Sequence, residues 1–122
     1  MKELNLDNIR KYIIEQELYK NPDLDSWLLA QKLEMEEDAL LNDIKQNTGK
    51  HFKQFLNDIR IAFLVQELDK AFLFQKPGYY YKLSGFKSRT PFERMFKKET
   101  GVTLSEYIRK LKEANQNSDS YK

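Results

Sequence analysis

The side chains that could do chemistry are mostly cationic and lie in one half of the chain. Between Lys82 and Lys112 stand nine Lys or Arg residues against three Asp or Glu. Residues 51–122 hold 14 basic and 8 acidic groups, whereas residues 1–50 hold 7 and 11, so a net charge of +2 hides a basic half joined to an acidic one. A basic half suits a polyanionic partner, although charge alone favours the plainer reading of a solvated helical surface. Bond-making chemistry has little to work with. There is no Cys, which removes disulfides, thiolate metal sites and Cys nucleophiles together. His51 is the only His, and after Gly49 it reads as a capping or backbone-side residue. The acidic group Glu34, Glu36, Glu37 and Asp38 lacks the alternating ligand-and-glycine pattern of a calcium loop, and no glycine-rich phosphate loop occurs. The expectation is a binding protein: not an enzyme, with no catalytic residue, no metal ligand and no cofactor.

The elements that must position those cations read as helices. At 122 residues the chain suits one compact domain, and 40% hydrophobic residues suffice for a core beside 33% charged ones. Apolar spacing predicts a helix over Asp7–Tyr19, ended by Asn21-Pro22, and a short helix capped by Asp25 and reaching Leu33. A third runs over Glu37–Thr48 with Gly49 as a left-handed stop, and a long one over Lys53–Leu68. Lys76-Pro77-Gly78 marks a turn before a short helix over Tyr79–Ser84, and Gly85 starts a tight turn. Ser88 can cap a helix reaching Thr100, with Pro91 inside its first turn and Gly101 as its stop. Thr103-Leu104-Ser105-Glu106 is a capping box for a last helix to Ala114, and 115–122 read as a polar, disordered tail. That is an all-α fold of about seven helices. No run approaches the ~18 apolar residues that span a bilayer, and the start of the chain lacks a signal peptide's apolar stretch, so a cytoplasmic location without membrane contact is expected.

The helical pattern repeats. Moved by 52 positions, Leu40 falls on Phe92, Ile44 on Phe96, Lys45 on Lys97, Thr48-Gly49 on Thr100-Gly101, Phe52 on Leu104, Phe55 on Tyr107 and Leu56 on Ile108. A run of coincidences that keeps apolar on apolar and stop on stop points to one unit used twice. Each unit is a short helix, a tight turn and a second helix, which describes a helix-turn-helix whose second helix can enter a major groove. The expected organisation is a double helix-turn-helix domain over 1–114. Its first unit covers about 5–52, a linker helix about 53–70 and a second unit about 76–114. A linker of ~16 residues is ~24 Å long, which with helix widths added can approach the ~34 Å of one DNA turn.

In the second unit the residues become specific. The stretch from Gly85-Phe86 through Phe92, Arg94 and Phe96-Lys97-Lys98 to Thr100-Gly101 and Ser105-Glu106-Tyr107 closely resembles the signature of the AraC/XylS family of transcription regulators. The first unit agrees more loosely, through Leu29-Ala30, Leu40, Ile44, Thr48-Gly49 and Leu56-Asn57-Asp58-Ile59-Arg60. Asn21-Pro22-Asp23-Leu24 and Leu56-Asn57 look like the Bacteroidetes-type branch. The resemblance covers about residues 6–112. It implies sequence-specific binding of double-stranded DNA and regulation of transcription, in a family that usually adds a sensing or dimerisation module, absent from this sequence.

Carried over position by position, the resemblance offers Arg89, Thr90, Pro91 and Arg94 to base edges. Arg can pair bidentately with guanine O6 and N7, and Thr90 and Pro91 can meet a thymine methyl. Ser88, with the free N–H groups beside it, and Lys87, Lys97 and Lys98 are phosphate candidates. In the first unit the reading helix begins Glu36, Glu37 and Asp38, where the family more often has polar, aromatic or basic residues. Acidic groups suit a helix start but face phosphates badly. Asp38, Leu41 and Asn42 remain as outward positions, Asn42 the base-contact candidate, with Lys45, Lys50 and Lys53 near the backbone. The second unit is therefore expected to dominate. Two further departures are Glu34, at a usual turn glycine, which predicts a less tight or less left-handed turn, and Tyr81, at a usual small alanine. The expected cores are Phe86, Phe92, Phe96, Leu83, Leu104 and Tyr107 in the second unit, and Leu29, Leu33, Leu40, Ile44 and Phe52 in the first. Trp27 is expected as a lid on the first core, and Tyr79, Tyr80 and Tyr81 as partly core and partly surface, with core favoured. The rival reading is a helix-turn-helix fold used as a protein-interaction module, docking on RNA polymerase or another subunit with little DNA affinity. Sequence-blind DNA coating is a third.

Overall fold

The computed structural model describes residues 5–71 and 73–119, with side chains through Asn115. Seven α-helices and one 3-10 turn follow one another, and no strand occurs among the described residues. They are α1 (Leu6–Glu15), the 3-10 turn (Leu18–Lys20), α2 (Ser26–Leu33), α3 (Glu37–Thr48), α4 (Phe52–Lys70), α5 (Pro77–Leu83), α6 (Arg89–Thr100) and α7 (Leu104–Asp119). The chain divides into two compact units, Met1–Arg60 and Ile61–Lys122. The division falls inside α4, so each half of the expected linker helix is built into a unit.

In the first unit Asn5 caps α1, its Oδ1 accepting from the Asn8 N–H at 2.9 Å. One expected helix to Tyr19 is here interrupted: α1 stops at Glu15 and Glu17 turns left-handed at φ 57°. The interruption has a partner far along the chain. Buried Arg60 donates from Nε to the Tyr19 carbonyl at 2.8 Å and from Nη2 to the Asn21 carbonyl at 2.8 Å, fixing the turn on α4. Burial lowers the Arg60 pKa to about 10, which still leaves it cationic at neutral pH. Asp25 caps α2 as expected, accepting from the Leu28 N–H at 2.8 Å. Ile9, Ile13, Leu29, Leu40, Ile44, Phe55 and Leu56 form the buried interior.

Three further expectations fail in this unit. Glu34 adopts φ 58°, ψ 46°, fully left-handed despite its side chain, because its N–H and that of Met35 close the α2 C-terminus onto Ala30 and Gln31 carbonyls. Trp27 is 56% exposed and covers no core. Leu29, Ala30 and Leu33 occupy the buried side of α2, and a residue two positions before Leu29 faces away from it. Phe52 is only half-buried, while Phe55, one turn later on α4, fills the interior.

The second unit is built around Phe92 and Phe96 of α6, packed with Ile61, Leu64 and Leu68 of α4, Tyr80 of α5, Phe86, and Leu104 and Ile108 of α7. Tyr81 and Tyr107 are partly buried against it, while Leu83 stays half-buried. Of the three consecutive tyrosines only Tyr80 is buried, and Tyr79 is 52% exposed. Pro77 sits at the start of α5, where its missing N–H removes no helical bond, so this helix begins two residues before the expected Tyr79. The capping box closes as expected: Thr103 N–H donates to Glu106 Oε1 at 3.1 Å, and Glu106 N–H to Thr103 Oγ1 at 3.2 Å. That bonding holds the Glu106 carboxyl below its ordinary pKa. Helix α7 runs to Asp119, past the Ala114 at which a tail was expected, with Arg109 and Glu113 paired at 3.2 Å one turn apart. The rest of that tail, residues 120–122, lies outside the described residues.

Candidate nucleic-acid interface

The repeat read from the sequence is carried residue for residue into the backbone. Helices α3 and α6 begin at Glu37 and Arg89 and end at Thr48 and Thr100, 52 positions apart at both ends. Gly49 and Gly101 stop them at φ 73° and 85°, each donating its N–H to the carbonyl of Lys45 or Lys97. Thr48 donates its hydroxyl to Ile44 O at 2.6 Å, and Thr100 to Phe96 O at 2.8 Å. The same threonine oxygens accept from Lys50 N–H and Val102 N–H. Each unit therefore ends its second helix by one mechanism.

The turn before α6 is set by a buried serine that the sequence reading passed over. Ser84, 2% exposed, donates to Tyr81 O at 2.6 Å and accepts from Phe86 N–H at 3.3 Å, and Gly85 between them takes φ 89°. The Tyr81 hydroxyl donates to Lys87 O at 3.0 Å and holds the far side of the turn. Ser88 then stands at the N-cap of α6 with an extended backbone, but its side chain makes no capping bond, contrary to expectation. Ser88 is exposed. Pro91 lies in the first turn, where no intrahelical N–H is owed.

With Phe92 and Phe96 buried, the other side of α6 is open. Lys87, Ser88, Arg89, Thr90, Pro91, Arg94, Lys97 and Lys98 are all exposed. Thr90, Arg94 and Lys97 recur at helical spacing and form one row. Among the described residues Arg94, Lys97 and Lys98 enter no ion pair, so that their charge is uncompensated at the surface. Arg89 is held: its Nε donates to Glu93 at 3.0 Å, and its guanidinium carbon lies 5.8 Å from the Tyr81 ring centroid. The spacing of Arg89 and Glu93 on one helix could have revealed their pairing.

The corresponding face of α3 differs in charge. Asn42 and Lys45 are exposed, and with Lys50 they line one open recess of about 700 Å³ that also takes in Asp38, Leu41 and His51. Lys50, however, is half-buried and paired with Asp58. Glu37 accepts a 2.6 Å hydrogen bond from Ser26 Oγ, tying the start of α3 to the start of α2. These two pairings join residues 8 and 11 positions apart on separate elements, and no helical spacing announces them. No group of His, Asp and Glu among the described residues could hold a metal ion, and no helix among them is long and apolar enough to cross a membrane.

Two helix pairs whose second helices start and stop 52 positions apart, the later one with an exposed cationic row, define a double helix-turn-helix protein. Residues 29–110 match the model of a helix-turn-helix domain family. The chain belongs to that family, the AraC-type helix-turn-helix proteins, which are DNA-binding transcription regulators and typically non-enzymatic. It is similar to the C-terminal domain of AraT, a response regulator from Geobacillus stearothermophilus, with 27% identity and a TM-score of 0.66 over 85% of this chain and 83% of that one. The C-terminal domain of the two-component response regulator yesN from Fusobacterium nucleatum is 25% identical, with a TM-score of 0.64 over 84% of this chain and 96% of that one. A DNA-binding transcriptional dual regulator from Escherichia coli K-12 shares the fold, with a TM-score of 0.71 over 88% of this chain and 99% of that one, at 18% identity. No curated protein matches the sequence.

Proposed function

We propose that this domain binds selected sequences in double-stranded DNA to regulate transcription, with α6 as the dominant reader of the major groove. The observation that carries this reading is the contrast between the two second helices. The exposed row of α6 is Thr90, Arg94 and Lys97, with Lys98 beside it, whereas α3 presents Asp38, Leu41 and Asn42 and its nearby Lys50 is paired with Asp58. A helix meets base edges first with its N-terminal residues. In this reading Arg89, Thr90, Pro91 and Arg94 meet bases, and Lys87, Ser88, Lys97 and Lys98 hold phosphates. Asn42, Lys45 and Lys50 add a weaker second contact. The double helix-turn-helix domain of 1–114 is then the binding unit.

The test is selection of bound duplexes from a random pool, followed by titration of variants on the selected site. Arg89→Ala should lose on the order of 10-fold or more in affinity, in keeping with one bidentate guanine contact, and Asn42→Ala far less. Equal losses would refute the dominance of α6. Failure to enrich any sequence over bulk DNA would refute selective reading altogether. A second reading applies to the first unit alone. Trp27 is 56% exposed and shares an open recess with Met35, Glu36, Glu37 and Asp38. An aromatic set among carboxylates suits a protein surface better than a phosphate chain. Trp27→Ala should then leave duplex affinity intact and weaken regulation of a reporter transcribed from the selected site.

A further inference from the structure

The bare cations of α6 contrast with Arg89, which two contacts hold in place. Its Nε donates to Glu93 Oε2 at 3.0 Å, and its guanidinium lies 5.8 Å from the centre of the Tyr81 ring. Gly78 lies near Nη1, where an added Cβ would stand at an ordinary contact distance of 3.9 Å. Tyr81 is itself immobilised. Its ring packs 5.7 Å from that of Phe92 in the core, and its hydroxyl donates to Lys87 O at 3.0 Å. The first unit shows what this position does when reading is not asked of it. Glu37, 52 positions before Arg89, is bonded to Ser26, 52 positions before Gly78. The fold thus brings the first residue of the second helix down beside the start of the preceding one. In the first unit that closeness is used for a structural hydrogen bond; in the second, glycine removes the partner side chain and an arginine lies on an aromatic face.

Resting on the reading of α6 as a base-reading helix, we propose that Tyr81 and Glu93 are positioning residues that set Arg89 for one guanine. Glu93 occupies Nε, which leaves the Nη1 and Nη2 edge of the guanidinium for two parallel hydrogen bonds to guanine O6 and N7. Tyr81 fixes the plane of the fork by stacking. A side chain held in its binding geometry loses less rotamer freedom when it binds. The carboxylate has an opposing effect on affinity for any DNA, because it brings negative charge toward phosphates. Glu93 therefore raises selectivity while lowering bulk affinity, and these two effects separate it from an ordinary surface charge.

The test uses the selected duplex, the same duplex with the guanine read by Arg89 changed to adenine, and bulk DNA. The parent chain should prefer guanine over adenine by on the order of 10-fold or more. Glu93→Ala should bind bulk DNA more tightly and lose several-fold of that preference. Glu93→Gln, which keeps an acceptor without the charge, should also bind bulk DNA more tightly yet retain more of the preference. Tyr81→Phe keeps the ring and should discriminate almost as the parent does, whereas Tyr81→Leu should not; circular dichroism establishes that each is folded. In an Arg89→Ala background, Glu93→Ala should change discrimination no further, as a coupled pair requires. Tighter binding of Glu93→Ala to every duplex by the same factor, with the guanine preference unchanged, would overturn the positioning role alone. Equal affinity of the parent and Arg89→Ala for the selected duplex would overturn it together with the base-reading role of Arg89.

Discussion

Replacing Lys97 and Lys98 together by Gln should change how duplex binding responds to salt more than it changes anything else. Both side chains are exposed on α6 and enter no ion pair among the described residues, so their loss leaves the packing of Phe92 and Phe96 untouched. A neutralised phosphate adds ~0.9 to the slope of log affinity against log salt. Three phosphate contacts, from Lys87, Lys97 and Lys98, correspond to a slope of ~2.7 from the second unit. Between ~50 and ~200 mM salt that amounts to a loss of affinity of roughly 40-fold. With two contacts removed the same groups lose only about 3- to 4-fold over that range, and the total slope falls by ~1.8 whatever the first unit contributes. Fluorescence anisotropy of a labelled selected duplex at four or five salt concentrations measures both slopes. A double variant whose slope stays within about 0.5 of the parent would refute the phosphate role, because one lost contact alone is worth ~0.9.

Further predictions concern the scaffold. Glu34→Gly should stabilise the first unit by about 0.5–1 kcal/mol, since a left-handed non-glycine costs ~1–2 kcal/mol and part is returned as unfolded-chain entropy; a thermal melt that does not rise would contradict the strain at φ 58°. Arg60→Ala removes two bonds to backbone carbonyls and should cost roughly 2–4 kcal/mol, read by urea denaturation and by faster amide exchange around Tyr19–Asn21. Burial, followed by its 2.6 Å hydrogen bond to Asp69, raises the Tyr107 hydroxyl from 10.0 to about 12. Its stabilising contribution is intact below pH 10.0 and is lost as the pH climbs through about 12, so the alkaline fall in stability should be shallower in Tyr107→Phe.

Where the code is local, the sequence was legible. Gly49 and Gly101 stop their helices because left-handed dihedrals need no Cβ, Asp25 and Thr103 cap theirs, and the shift of 52 residues predicted the bounds of α3 and α6 together. Local signals also misled where tertiary contacts competed with them. Asp7–Tyr19 keeps helical spacing, yet the chain breaks at Glu17 so that Arg60 can bind the carbonyls of Tyr19 and Asn21. Glu34 has no preference for a left-handed turn and takes one because the closure between α2 and α3 requires it. Trp27 reads as core by type but sits on the wrong side of α2 to be buried.

By itself the sequence determined the kind of molecule: helices in two matched units, the second basic, with the residues of α6 that face outward following from helical period once Phe92 and Phe96 are taken as core. Only the tertiary structure decided which of those charges are available. Lys50 is paired with Asp58, Glu37 with Ser26, and Arg89 lies over the Tyr81 ring, whereas Arg94, Lys97 and Lys98 enter no ion pair among the described residues. The reason is physical. Helical period is a property of neighbouring residues on one helix, but a side chain's partner is chosen by what the fold brings within 3 to 4 Å of its charge, and that closeness is made between separate elements, which helical period does not relate.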